Sequence, residues 1–349
     1  MLAIKYLGPH VPFALESVAI PDVGEDDVQI HIRSASLCYT ENHFLDGTLD
    51  LGISNIIMGH EAAGVIIRTG SRVESSRIGE RVVLYYYSGC QSCKHCLYGN
   101  EQICDALIAE YGFITNGTLA KYIVVPSRNA VRLPDSIVDF DIAAPIGCGA
   151  TTAVHASKIA DIRAGEWIAV YGVNAVGFNL LQLCKHFGSK VIAIGRSKEK
   201  LSKAIELGAD VVINAEETSN VNTEIRRVTN GSGADVIFEC VGSRESLDNC
   251  LGFGGGLGKR GRLIIIGYQK GAQHDIRVHP IPLLVYEQRI CGSVGATLED
   301  LREAIQYVAD EILQIVIDSK ISISEVPLAL EKMRSFSSVG KIVVNNFDG

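Results

Sequence analysis

WIAVYGVNAVGFNLLQLCKHFGSKVIAIGRS, residues 167–197, reads as one strand–helix–strand unit. The apolar run 167–171 is strand, NAVGFNLLQLCKHFG is helix, and KVIAIG is the next strand. Gly172, Val173, Asn174, Ala175, Val176 and Gly177 lie where strand passes into helix. That is the context a phosphate-cradling glycine fingerprint requires. The pattern departs from G-x-G-x-x-G, because Asn174 stands at the middle glycine. That glycine normally lets the backbone approach a pyrophosphate. Asn is the residue that best tolerates unusual backbone angles after Gly, so binding survives with altered geometry. The helix N-terminus still offers N–H groups to an anion. The plainer alternative is a tight turn with no ligand.

Outward from this unit the alternation continues. KEKLSKAIELG is helix, and DVVIN, ADVIFECVG and GRLIIIGY are strands. Apolar strands alternating with helices signal a parallel sheet covered on both faces. GFGGGLGKRG, residues 252–261, reads as a loop. Before residue 145 the pattern differs. DDVQIHIRSAS, AAGVIIRTG and RVVLYYYSG read as strands, broken up by Pro12, Pro21 and Pro126. After 290, LEDLREAIQYVADEI is an amphipathic helix, and KIVVNNF is a strand that rejoins the first region. The expected division is 1–149, 150–290 and a return over 291–349, since 349 residues exceed what one core usually serves.

Composition narrows the function classes. There are 40 acidic and 32 basic residues, a net charge of -8, which disfavours a general nucleic-acid binder. Apolar runs such as Leu263–Ile266 are too short to span a bilayer, and the first residues lack a basic-then-apolar leader pattern. No membrane association and a cytoplasmic location are therefore the expectation.

Four of the ten cysteines, Cys90, Cys93, Cys96 and Cys104, are separated by gaps of two, two and seven residues. Four closely spaced thiolates close a tetrahedral zinc and leave no position for substrate, so this site is structural. An iron–sulfur run would have a three-residue last gap followed by Pro. Here the gap is seven and Asp105 follows. Cys184, Cys240, Cys250 and Cys291 read as small buried hydrophobes.

Strand KVIAIG ends at Gly195 and is followed by Arg196 and Ser197. An NAD-specific fold usually carries an acidic residue here for the ribose hydroxyls. Gly195 makes room instead, Arg196 can pair with a 2′-phosphate, and Ser197 can donate to it. NADP(H) is favoured over NAD(H). The alternative is that these charges are merely solvated.

Three further segments are Cys38 with Thr40 and His43, Gly59-His60-Glu61-Ala62-Ala63-Gly64, and Ala144-Pro145-Ile146-Gly147-Cys148-Gly149. With the cysteine cluster and the nucleotide motif, in this order and at these separations, the chain resembles the zinc-containing medium-chain alcohol dehydrogenases over essentially its full length. The resemblance implies a Rossmann-type doubly wound parallel sheet domain, and a mostly β, GroES-like catalytic domain with a structural zinc lobe at 88–106. It implies two zinc ions per chain. Cys38, His60 and Cys148 would hold the catalytic one, leaving a position for water or substrate oxygen. Alcohol dehydrogenase is itself the standard example of this Cys₂His set.

By the same resemblance, Glu61 is a carboxylate able to approach the metal. Glu41 stands where Asp is frequent and accepts from the zinc histidine. Tyr39 stands where a basic residue often faces the pyrophosphate. The Thr40 hydroxyl takes the substrate proton and passes it through a ribose hydroxyl to His43. Leu49, Tyr86 and Tyr87 are candidate pocket walls. The reaction implied is hydride transfer between a primary or secondary alcohol, or the aldehyde or ketone in reverse, and the nicotinamide, in a homodimer or homotetramer. A two-fold contact near Ile290–Val294 is expected. The rivals are the same chemistry with NAD(H), a zinc-free quinone reductase, and a non-catalytic zinc- or nucleotide-binding sensor. The presence of both cysteine sets disfavours the reductase, and intact Thr40 and His43 disfavour the sensor.

Overall fold

The computed structural model describes residues 1–269, 276 and 278–348. It divides into two compact units, Met1–Thr151 with Ala296–Asp310 and Ile315–Gly349, and Thr152–Gly295 with Glu311–Gln314.

The second unit holds a six-stranded parallel sheet. Its strand order is Val211–Asn214, Lys190–Gly195, Trp167–Tyr171, Ala234–Glu239, Leu257–Ile265 and Arg289–Gly292. The inner strands are apolar on both faces because helices cover both. Ile168, Ala169, Val170, Ile192, Ile237 and Leu263 are fully buried. Each such aliphatic side chain of Val or Leu size contributes about 1.5–3 kcal/mol. Helix Ala175–His186 buries Phe178, Leu180, Leu181 and Cys184.

The glycine-rich stretch 252–261 is not wholly a loop, because the strand Leu257–Ile265 begins inside it. Leu257 is fully buried and pairs with Ala234, and the register then jumps so that Arg262 meets Val236. One core side chain anchors a segment whose glycines otherwise signal a turn.

The first unit is mostly β, with a seven-stranded sheet among its described residues. Its order is Ala130–Arg132, Arg81–Leu84, Glu61–Thr69, Asp27–Ser36, Lys341–Asn346 and Ile317–Ser322, and Tyr122–Pro126 also pairs with Asp27–Ser36. The run RVVLYYYSG is two strands rather than one. After Leu84 the chain leaves the large sheet, and Tyr87–Ser88 pairs with Ala109–Glu110 in a separate ladder. Helix Leu298–Ala309 opens with a full capping box, Thr297 and Asp300 bonding reciprocally. Among the described residues no helix is long and apolar enough to cross a membrane.

Candidate active site

Strand pairing assembles the first cluster. Ser36 is opposite Glu61 in the antiparallel ladder between Asp27–Ser36 and Glu61–Thr69. Cys38, just past the end of one strand, is thereby brought beside His60 and Glu61 at the start of the other. Gly59 has φ +90, and a Cβ there would lie 2.7 Å from both Leu119 Cγ and Thr118 Oγ1, so only glycine permits the turn that presents His60. Cys148 follows the short turn Ala144–Gly147 and precedes helix Gly149–Ala160. One ligand atom from each of Cys38, His60, Glu61 and Cys148 lies within 4.8 Å of the others.

The donor set fits a zinc ion. Two thiols, an imidazole and a carboxylate converge in a pocket where His60 is 1% and Glu61 0% exposed. Glu61 Oε2 is buried and has no hydrogen-bond partner among the described residues. Acidic groups crowd one another here, Cys38 and Glu61 each pushing the Cys148 thiol up. The Cys38 thiol is held well below its ordinary range by the hydrogen bond with Cys148, whose own thiol is pushed well up by the same contact. Burial opposes a charge on His60, yet hydrogen bonds with Cys38 and Glu41 hold its imidazolium up to about 10. Burial drives the Glu61 carboxyl up to about 7 against the pull of Lys341.

Two groups orient the cluster. Glu41 Oε2 accepts the Cys38 backbone N–H at 2.8 Å, while its Oε1 faces His60 Nδ1 at 3.6 Å. The longer Glu side chain thus reaches both a metal-ligand candidate's backbone and the histidine. His60 Nε2 is left on the cluster side, 3.8 Å from Glu61 Oε1. The second group, Lys341, was not apparent in the sequence. It is buried, pairs with Glu61 Oε1 and donates to the Leu37 carbonyl at 3.3 Å. Its signal was a lysine opening the apolar run Ile342–Val344.

Thr40 and His43 lie one turn apart on helix Thr40–Leu45. The Thr40 hydroxyl is 3.4 Å from Cys38 Sγ. Burial holds the His43 imidazole below its ordinary value, so it is neutral and able to accept a proton at neutral pH. Tyr39 stacks on Phe336 at 5.6 Å and meets the His43 ring edge-on at 5.0 Å. Tyr86 packs edge-on against His60 at 5.0 Å and so lies beside the cluster, while Tyr87 packs on Tyr86 with rings tilted at 4.3 Å. Leu49 is half-buried, and its N–H donates to the His43 carbonyl at 3.0 Å.

The second cluster gathers Cys90, Cys93, Cys96 and Cys104, again with ligand atoms within 4.8 Å of one another. Sulfur separations are 3.9 Å for Cys90–Cys96 and 3.8 Å for Cys93–Cys104. Disulfides would need about 2.05 Å. A tetrahedral zinc with bonds of about 2.3 Å sets its sulfurs about 3.8 Å apart. The backbone N–H groups of Cys93 and Ala106 donate to Cys90 Sγ and Cys104 Sγ at 3.3 Å.

In the second unit, Gly172 has φ +97, and a Cβ on Gly177 would lie 2.2 Å from the Gly172 carbonyl oxygen. Both glycines are therefore required by the strand-to-helix turn, with Val173, Asn174, Ala175 and Val176 between them. Asn174 occupies the N-cap position of helix Ala175–His186 without a side-chain capping bond, at φ -147 and ψ -153, an extended conformation open to any residue. The expectation of unusual backbone angles at Asn174 is thus corrected. Gly195 ends its strand, Arg196 is exposed, and Ser197 Oγ accepts the Lys200 N–H at 3.4 Å as a helix cap. Capping uses the Ser197 oxygen as acceptor, so its proton remains to be donated.

Comparison with known proteins agrees with this architecture. The family model of the alcohol dehydrogenase GroES-like domain matches residues 24–135, and that of the zinc-binding dehydrogenase matches residues 175–310. Alcohol dehydrogenase 2 of Caenorhabditis elegans is 26% identical over 345 residues, covering 98% of this chain and 94% of that protein. The crystal structure of an alcohol dehydrogenase from Aeropyrum pernix is 27% identical with a TM-score of 0.89, covering 99% of this chain and 100% of that one. A cobalt- and zinc-bound alcohol dehydrogenase from Pyrobaculum aerophilum is 27% identical with a TM-score of 0.85, covering 99% of each chain.

Proposed function

The chain belongs to the zinc-dependent medium-chain alcohol dehydrogenase family, and from that premise we propose that it interconverts a primary or secondary alcohol and its aldehyde or ketone, with NADP(H) preferred over NAD(H) and two zinc ions per chain. The observation that carries the reading is the buried convergence of Cys38, His60, Glu61 and Cys148 beside Thr40. Cys38, His60 and Cys148 would hold the catalytic ion, with Glu61 in reach. Cys90, Cys93, Cys96 and Cys104 would hold the structural one. When bound, the catalytic zinc supplies Lewis acidity that lowers the pKa of an alcohol hydroxyl and polarises a carbonyl.

The chain's own residues do the rest. The Thr40 hydroxyl, beside Cys38 Sγ, would accept the proton that leaves the substrate hydroxyl while releasing its own toward neutral His43 and solvent. Glu41 orients His60 through Nδ1 and steadies the Cys38 backbone. The Gly172–Gly177 turn offers N–H groups to the pyrophosphate, and Arg196 and Ser197 offer donors to a 2′-phosphate. A homodimer or homotetramer in the cytoplasm completes the proposal.

The test is oxidation of NADPH and of NADH with a panel of aldehydes and ketones, followed at 340 nm. Turnover with at least one carbonyl, faster with NADPH, is expected. No turnover with any of them, in protein carrying its full zinc, would favour a non-catalytic role.

A further inference from the structure

Glu110 is a half-buried carboxyl close enough to His60 to feel its charge, and the proposed reaction leaves it unused. Its place follows from the small ladder of Tyr87–Ser88 with Ala109–Glu110. Tyr87 and Glu110 are directly opposite, and opposite residues share a face. The Tyr111 N–H bonds the Tyr86 carbonyl at 3.0 Å and the Ile108 N–H bonds the Ser88 carbonyl at 2.9 Å. Tyr87 and Glu110 are therefore the non-hydrogen-bonded pair, in which side chains come closest. From Tyr87 the contacts lead back to the metal cluster. Tyr87 packs on Tyr86 at 4.3 Å, with their hydroxyls 3.3 Å apart, and Tyr86 packs on His60 at 5.0 Å.

The Glu110 side chain makes no hydrogen bond or ion pair among the described residues. Burial pushes its carboxyl up to about 7, and the nearby His60 pulls the other way. A half-buried carboxyl without a partner costs stability and holds nothing together. The ladder and the turn beyond it rest on backbone bonds, since the Glu110 carbonyl itself accepts the N–H groups of Phe113, Ile114 and Thr115. An acceptor set in an aromatic wall next to a metal site suits a ligand that brings its own donor.

We propose that Glu110 is a specificity-determining residue that selects alcohols bearing a second, hydrogen-bond-donating group, hydroxyl or ammonium, over plain aliphatic alcohols. The inference rests on the alcohol dehydrogenase reading and narrows its substrate class. A charge-assisted hydrogen bond in a partly desolvated wall favours such a substrate by about tenfold to over a hundredfold relative to a methyl isostere.

The test compares matched secondary alcohols that differ only in a methyl, hydroxyl or amino group, such as 3-methyl-2-butanol, 2,3-butanediol and 3-amino-2-butanol. Longer homologues move the donor further from the carbinol. In the wild type, kcat/KM is expected to be at least about tenfold higher for one donor-bearing series than for its methyl isosteres. Glu110→Ala should bring that ratio near one, mainly through KM, with zinc content unchanged and the unfolding temperature no lower than wild type. Glu110→Gln separates the two donors. It retains a hydroxyl preference and loses an ammonium preference. A wild-type preference for the methyl compounds, or a ratio that survives in Glu110→Ala, overturns the inference. Absence of turnover with every alcohol would instead overturn the dehydrogenase reading. Calorimetric binding of the three compounds to zinc-loaded wild type and Glu110→Ala then still decides the role of Glu110, and equal wild-type affinities would refute it.

Discussion

Lys341 and Glu61, 280 residues apart in the chain, form a buried ion pair at the edge of the candidate catalytic metal cluster. The ammonium engages one carboxylate oxygen, and the other, Oε2, has no hydrogen-bond partner among the described residues. Removing one member of a buried pair strands the other charge. Lys341→Met is expected to destabilise the protein by about 3–5 kcal/mol, and Lys341→Met with Glu61→Gln to recover most of that loss. Urea unfolding midpoints measure both. A single variant as stable as wild type would show that the pair does not hold this region.

Glu41 is expected to govern metal retention without touching the metal. Glu41→Ala removes the acceptor facing His60 Nδ1 and frees the Cys38 backbone N–H. Loss of such an outer partner typically lowers metal affinity or activity by about 10–100-fold. Chelator competition should detect the change. Cys148→Ala, which removes a proposed ligand outright, should abolish turnover while circular dichroism stays native. Near wild-type activity in that variant would mean that Cys148 is not a ligand.

Metal analysis of folded protein is expected to find about two zinc ions per chain, because two separate donor sets converge. Cys93→Ser should lose one equivalent and leave residues 88–106 open to proteolysis. Cutting there at the wild-type rate, with both equivalents retained, would contradict a structural zinc.

Cofactor preference is expected to reside at the end of strand Lys190–Gly195. Arg196→Ala should weaken NADPH by about tenfold to over a hundredfold, the loss of one charge-assisted contact, and NADH far less. Gly195→Asp should shift preference toward NADH. Its Cβ would lie 2.9 Å from Val173 Cγ2 and 3.5 Å from Leu201 Cδ2, so the change is best combined with Val173→Ala. If kcat/KM with NADH already equals or exceeds that with NADPH in the wild type, Arg196 is only a surface charge.

Light scattering at micromolar concentration is expected to find a dimer or tetramer. Strand Arg289–Gly292 ends the parallel sheet and pairs on one side only among the described residues, and Val294 just beyond it is 53% exposed. An open sheet edge with apolar neighbours is a site to be covered by a second copy. Val294→Lys should weaken the assembly. A wild-type monomer would refute it.

The local features were legible in the sequence by itself. Four cysteines within fifteen residues can reach one ion whatever the rest of the chain does, and residues 167–197 carry their own strand–turn–helix signal. Cys38, His60 and Cys148 could be joined only through a resemblance, since spacing alone does not bring together residues so far apart. The tertiary structure brings their ligand atoms within 4.8 Å, beginning with the register that puts Ser36 opposite Glu61. The roles of Lys341 and Glu110 needed the folded chain. Strand Lys341–Asn346 pairs with Asp27–Ser36, Val343 against Ser36, and so carries a lysine into the interior beside Glu61. Glu110 gains meaning only from standing opposite Tyr87 with no partner for its charge. Whether a charged side chain is solvated or buried depends on which distant strands surround it, and only the folded chain decides that.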